Sequence, residues 1–362
     1  MNVFIIVLMV VFFIYLIFCT ELYLTWCVHR EHRYEKKLRR HDNFKLEIQS
    51  QLEAVKNNQP LSPTQLKRVL SLLKRQVYFD LFNEVIIETY QSEDYRPVIR
   101  QYMNYFDKLL ERLIKKKLGA NDLFKLKLSK LIGYYQVDSP QVHLFLLDCL
   151  KQNSMYLKLN VLMSLSQIGN VTSFYDALCY ISKEYVLYNE KLLIDIMAKF
   201  TGDQTRLNNQ LLEYFSEFTK EFQITLIHYF TLKSWQPIEP LLLDLLERGE
   251  EKEKELHLGA IKYFTNYPSS MTKSLFLHYL KHADWEYRAL SAKALQHFSQ
   301  DDVINHLFAA SRDRNWYVRF NSAMTLCSYH IDEKILSYIE HTEDHYSKDI
   351  LLYALSLKQQ AS

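Results

Sequence analysis

The sequence predicts an all-α protein, an α-solenoid of helical hairpins preceded by a single N-terminal transmembrane helix. Three observations carry this. The first 20 residues hold no charge. Six Gly and seven Pro in 362 residues are too few for the many tight turns of a β protein. Beyond residue 60, amphipathic stretches of about ten to fifteen residues alternate with short polar turns, and one of them recurs.

The scarcity of glycine also excludes chemistry. The six stand at 119, 133, 169, 202, 249 and 259, so no GxGxxG, GxxxxGK or GxSxG exists. Each of those motifs needs glycines a few residues apart, where the backbone turns tightly towards a phosphate or presents a nucleophile.

From the N-terminus, Val3 to Cys19 is an uninterrupted apolar run, 17 residues or about 25 Å of helix. Leu22, Tyr23, Leu24, Trp26 and Val28 extend it, and the expected anchor covers 1–28. A cleaved signal peptide needs a basic start and small residues before the cut, and neither is present. No Lys or Arg precedes the run, whereas Arg30, Arg33, Lys36, Lys37, Arg39 and Arg40 follow it. The positive-inside rule then places the N-terminus outside and the rest in the cytoplasm, a single-pass inner-membrane protein. This membrane-proximal basic cluster serves as a topology signal or as a contact for anionic lipid headgroups. Five cysteines without a CxxC read as small buried hydrophobes of a reducing compartment.

Residues 29–60 form a basic helical stalk. Positions 34, 38, 41, 45, 48, 52 and 55 keep a four–three alternation whose middle is polar, so a helix is expected without a sustained coiled coil. Asn57-Asn58-Gln59-Pro60 ends it. Ser62-Pro63-Thr64-Gln65 opens the next helix with a Ser cap, a first-turn Pro and a capping-box Gln.

Residues 61–362 make up the solenoid. The stretch Asp284-Trp285-Glu286-Tyr287-Arg288-Ala289 recurs 31 residues later as Asn315-Trp316-Tyr317-Val318-Arg319-Phe320. Weaker copies begin at Leu157-Lys158 and Leu126-Lys127, and softer ones near Leu192, Phe222, Leu256 and Asp349. Two amphipathic helices per repeat, neither able to bury its face alone, stack into a solenoid of about nine units with a concave face of second helices. Trp285 and Trp316 stand just before second helices, where an aromatic ring can cover the turn.

This unit resembles a HEAT repeat of the short bacterial kind, closely over 275–330 and tolerably over 120–170, as in bacterial membrane-anchored HEAT proteins. The resemblance implies an inter-repeat ladder of Asp284, Arg288, Asp313 or Asn315, Arg319, Lys127 and Lys158. Leu192 and Phe222 lack a following basic residue, so the ladder is expected to break in the middle. The resemblance also raises chemistry to check. A di-iron hydroxylase of this architecture carries repeated His-Glu dipeptides, absent here, and related DNA glycosylases need a basic aromatic channel, unlike a chain of net charge +2.

His341 and His345, and His278 and His282, have the i, i+4 spacing of metal ligands, but neither pair belongs to HExxH. No metal, cofactor, nucleic acid or small-molecule substrate is expected. Charge is uneven: residues 28–130 carry 22 Lys/Arg against 13 Asp/Glu, and 131–362 carry 22 against 28. The basic part offers an interaction patch of Arg112, Lys115, Lys116, Lys117 and Lys125; the alternative is cations decorating a helix end.

The expected function is a non-enzymatic scaffold, anchored in the membrane, that binds a membrane-associated protein partner through the solenoid. The resemblance implies a complex such as a polysaccharide-synthesising glycosyltransferase. Two alternatives stay open: an enzyme or lyase with a pocket in the concave face, and a lipid or nucleic-acid binder acting through 96–130.

Overall fold

The computed structural model describes residues 2–117, 122–184, 189–248 and 253–361, and the side chains of all of these except 2–15, 17, 31–35, 115–117, 122 and 361. Every regular element among them is helical. They form two compact units, Met1–Ser173 and Phe174–Ser362.

In the first unit a long helix α1 (Asn2–Lys56) leads into α2 (Pro63–Leu72), α3 (Gln76–Tyr90), α4 (Arg96–Met103), α5 (Asp107–Lys117), α6 (Asp122–Tyr135), α7 (Pro140–Leu150) and α8 (Met155–Ile168). The last turns of α1 are core, since Phe44, Ile48, Leu52 and Val55 are buried. They pack on α3 and α4. Gln51 accepts a hydrogen bond from Tyr102 Oη at 2.7 Å, and the Tyr135 hydroxyl donates to Asn83. Burial pushes both phenols well above the usual range. Helices α6 and α8 approach closely because small residues face one another: Gly133, Ser129 and Ser164, whose Oγ donates to the Ser129 carbonyl at 2.7 Å.

The transmembrane helix expected over 1–28 is a correction. Among the described residues no helix is long and apolar enough to cross a membrane. The described part of α1 carries Glu21 and then Arg30 onwards, and the helix runs on without a break to Lys56. The side chains of 2–15 lie outside the described residues. The inner-membrane location and the orientation drawn from the basic cluster fall with the anchor.

The unit boundary lies within α9 (Val171–Lys183). The second unit continues with α10 (Glu190–Ala198), α11 (Gln204–Glu213), α12 (Lys220–Leu232), α13 (Glu239–Arg248), α14 (Lys254–Asn266), α15 (Lys273–Tyr279), α16 (Trp285–Ala294), α17 (Asp301–Ala310), α18 (Trp316–Ser328), α19 (Asp332–His341) and α20 (His345–Ala361). The second helices α10, α12, α14, α16, α18 and α20 pack each on the next, and the first helices α13, α15, α17 and α19 pair with α14, α16, α18 and α20. This is the hairpin stack that the periodicity predicts.

The scarcity of glycine has a structural counterpart. A helix end leaves its last carbonyls without partners, and an αL glycine commonly resolves this. Here the next repeat supplies the donor. Lys233 Nζ reaches the Ala198 carbonyl at 2.8 Å, Tyr267 Oη that of Thr231 at 3.0 Å, and Tyr329 Oη that of Leu295 at 2.6 Å. Gln296 Nε2 bonds the Thr265 carbonyl at 3.3 Å in the same way. Among the described residues only one Gly, Gly169, has positive φ; Asn58, Gln136, Ser234 and His330 take that conformation just past other helices.

Candidate functional site

The second helices of the last three repeats enter from capped turns. Asp284 caps α16, accepting from Glu286 N at 3.0 Å, and Asn315 caps α18, accepting from Tyr317 N at 2.9 Å. Each cap fixes the residue after it at the rim of the stack.

Beneath the caps lies the expected ladder. Arg288 donates to Asp313 through Nε at 2.7 Å and Nη2 at 3.0 Å, and through Nη1 to the carbonyls of His282 and Ala283, both at 2.8 Å. Asp313 in turn accepts from Asn315 N at 2.8 Å. Burial pushes the Asp313 carboxyl up, but the Arg288 and Asn315 hydrogen bonds outweigh it, and the net shift is downward. Arg319 repeats half of this: Nη1 donates to the carbonyls of Asp313 and Arg314, at 2.8 and 3.2 Å. Its guanidinium lies over Tyr346 at 5.2 Å. Asp344, the counterpart of Asp313, instead caps α20 by accepting from Ser347 N at 2.7 Å.

One repeat upstream, His257 occupies the place of Arg288 and His282 that of Asp313. His282 Nδ1 accepts from Asp284 N at 3.0 Å, as Asp313 does from Asn315. His257 Nδ1 lies 3.1 Å from Tyr287 Oη. Burial raises the Tyr287 phenol to about 12. Where the ladder is expected to break, another connection replaces it. Lys220 and Lys254, the first residues of α12 and α14, reach Glu253 at 3.3 Å and Asp284 at 2.6 Å; Lys254 also pairs with Glu286.

Two of the expected ladder and patch residues differ in burial from what their expected roles require. Lys125 and Lys158 are both fourth in their helices, as Arg288 and Arg319 are, and both are buried. Lys125 is therefore not part of an exposed patch. Lys127 is exposed and pairs with Asp80 at 3.2 Å. Arg112 is exposed on α5, with Nε donating to the Lys108 carbonyl at 3.1 Å, and the side chains of Lys115, Lys116 and Lys117 lie outside the described residues. Lys36, Lys37, Arg39 and Arg40 are exposed on α1, Arg30 lies over Trp26 at 5.3 Å, and the Arg33 side chain is outside the described residues.

The feature that the sequence undervalues is a run of aromatic rings across α16, α18 and α20. Trp285 stacks on Tyr317 with centroids 5.4 Å apart, Tyr317 meets Trp316 edge-on at 5.2 Å, and Trp316 stacks on Phe320 at 4.9 Å. Phe320 continues to Tyr353 at 6.3 Å. Trp285, Trp316, Tyr317 and Tyr353 keep 39, 46, 56 and 48% of their surface exposed. At one end of the run a groove of about 650 Å³ is lined by Lys254, Ala283, Asp284, Trp285, Arg314 and Asn315.

Other chemistry is weaker. Ser173 Oγ lies 2.8 Å from His143 Nδ1, and His143 Nε2 lies 2.9 Å from Asp138 Oδ1, an order that resembles a nucleophile, base and acid. The second contact lacks hydrogen-bond alignment, and Ser173 is buried with its N–H bound to the Asn170 cap at 3.0 Å. Burial lowers the His143 pKa, partly offset by Asp138. The trio ties the turn before α7 to the start of α9. His341 ends α19 and His345 begins α20, so the spacing read as one helical turn spans a break, and His282 stands in a turn after α15. Among the described residues no three His, Cys, Asp or Glu converge as a metal site.

Residues 239–340 match a family model described as HEAT repeats, which supports a HEAT-repeat family for this chain. No curated protein matches. Among solved structures the chain is similar to human deoxyhypusine hydroxylase in complex with glycerol, at 13% identity, covering 82% of this chain and 96% of that one, with a TM-score of 0.29. A likeness of that size carries no argument about activity.

Proposed function

We propose that this helical-repeat protein is a non-catalytic scaffold that binds a partner protein through the aromatic run on α16, α18 and α20. The observation that carries the proposal is the exposure of Trp285, Trp316, Tyr317 and Tyr353 as one connected strip. Large apolar side chains exposed together cost solubility, and connected patches of this kind mark interaction sites. Trp and Tyr dominate binding hot spots because they offer much area for few rotatable bonds. Here the rings stack on one another, so a partner meets a surface whose rotamers are already restricted, and less entropy is lost on binding.

The test is co-purification from the native cell under mild conditions, comparing the wild type with a Trp285→Ser, Trp316→Ser, Tyr317→Ser variant. A partner present at near-stoichiometric level with the wild type and absent with the variant supports the proposal. A wild type recovered alone, or the same partners on both proteins, refutes it.

A further inference from the structure

The groove at the Trp285 end of the aromatic run points to the chemistry of the partner. Three of its lining residues are charged: Lys254, Asp284 and Arg314. Lys254 is neutralised by Asp284 and Glu286. Asp284 is further committed to capping α16. Arg288 and Arg319, the neighbouring guanidiniums, are held by Asp313 and by turn carbonyls. Arg314 is different. It is exposed, and among the described residues its guanidinium makes no ion pair or hydrogen bond. Arg314 acts on the Asp313 carboxylate only through space, and a cation that no hydrogen bond or ion pair holds, beside an exposed indole at the end of an apolar strip, complements an anion carried next to apolar groups.

We propose, resting on the docking surface above, that the occupant is an acidic–aromatic segment of the partner protein. Its apolar side chains would lie along Trp285, Tyr317, Trp316 and Phe320, and a carboxylate would enter the groove to pair with Arg314. Guanidinium and carboxylate match as a two-point fork, which fixes the register of the segment on the strip. A nucleic acid would also stack on aromatic rings, but its repeated phosphates would meet Asp284 and Glu286 beside the groove, within residues 131–362, which carry 22 Lys/Arg against 28 Asp/Glu. One carboxylate beside one free arginine suffers far less from that field.

The experiment is fluorescence anisotropy on the full chain with four labelled probes. They are a dodecapeptide rich in Phe and Tyr that carries a single central Glu, the same peptide with Gln for Glu, the same with Lys for Glu, and an oligothymidylate. The Glu peptide is expected to bind with a micromolar Kd, about 10-fold tighter than the Gln peptide. Arg314→Glu, an exposed substitution, should invert the preference to the Lys peptide, and Trp285→Ala with Tyr317→Ala should abolish binding of all peptides. Equal binding of the Glu and Gln peptides, an Arg314→Glu variant with unchanged preference, tighter binding of the oligothymidylate, or no saturable binding up to about 1 mM overturns the proposal. Equal Glu and Gln binding that is lost in the aromatic variant removes only the anionic partner and leaves the docking surface standing. Peptide binding that the aromatic variant retains removes the surface itself.

Discussion

Replacing Asp313 by alanine tests how neighbouring repeats are held together. The substitution leaves the Arg288 guanidinium in place, with Nε and Nη2 losing their acceptors at 2.7 and 3.0 Å. The two side chains are only 9 and 14% exposed, so water replaces those bonds poorly. Each lost hydrogen bond to a charged group costs about 1.5–3 kcal/mol, and breaking a buried pair from one side costs about 3–5 kcal/mol. In a repeat stack this loss belongs to one interface and does not spread through the chain. Hydrogen exchange on the full protein reads it locally: the opening free energy of α16 and α18 should fall by about 3–5 kcal/mol, a hundredfold or more in exchange rate, while α6 and α8 stay unchanged. The double variant Arg288→Met, Asp313→Leu should recover a large part of the loss, since it leaves no buried charge unpaired. A change below about 1 kcal/mol, or a uniform change across both units, would refute the idea that this pair is the repeat junction.

Asp313 titrates below the usual 3.8 in the folded chain, so its contribution is complete above that value and disappears as pH falls through the lowered one. Exchange protection of α16 and α18 should therefore hold from neutral pH down to about 4 and drop below it, and Asp313→Asn should remove that step. Gly133→Ala should destabilise the first unit by about 1–3 kcal/mol in urea titrations, because a Cβ there would lie 2.9 Å from Ser164 Cα, which cannot swing aside as Gln167 can. His330→Gly should stabilise by about 0.5–1 kcal/mol, since exposed His330 holds φ 56° where glycine is unstrained, and a lower urea midpoint would count against the αL assignment.

The hairpin stack was legible because it rests on local periodicity. Asp284 and Asn315, which open the recurring stretch, cap their helices, and Arg288 with Arg319 follow the 31-residue frame, whereas the expected Ser62 cap is not made: its hydroxyl bonds Thr64 Oγ1 at 2.7 Å and no helix N–H. Lys127 bridges to Asp80 from an exposed position, and because α6 and α8 start 33 residues apart it is Lys125 that shares the helix position of Lys158. The tyrosine–carbonyl ties at the helix ends were not legible, since they depend on how far one repeat lies from the next. The aromatic run had a signal, two tryptophans 31 residues apart, but its exposure follows from packing and not from spacing. The uncharged apolar start of the chain and the basic cluster after it suggested an anchor, and among the described residues no helix meets the length and apolarity of a span.

The central claim is that the strip on α16, α18 and α20 is where another protein sits. Site-specific photocrosslinking in the native cell tests it most directly, with a photoreactive residue at Tyr317 and, as a control, at Tyr156, which is exposed but lies off the run. The account predicts a discrete protein adduct from position 317 that is absent from position 156 and disappears when Trp285 and Trp316 are replaced by serine. No adduct at 317, or the same adducts from both positions, would contradict it.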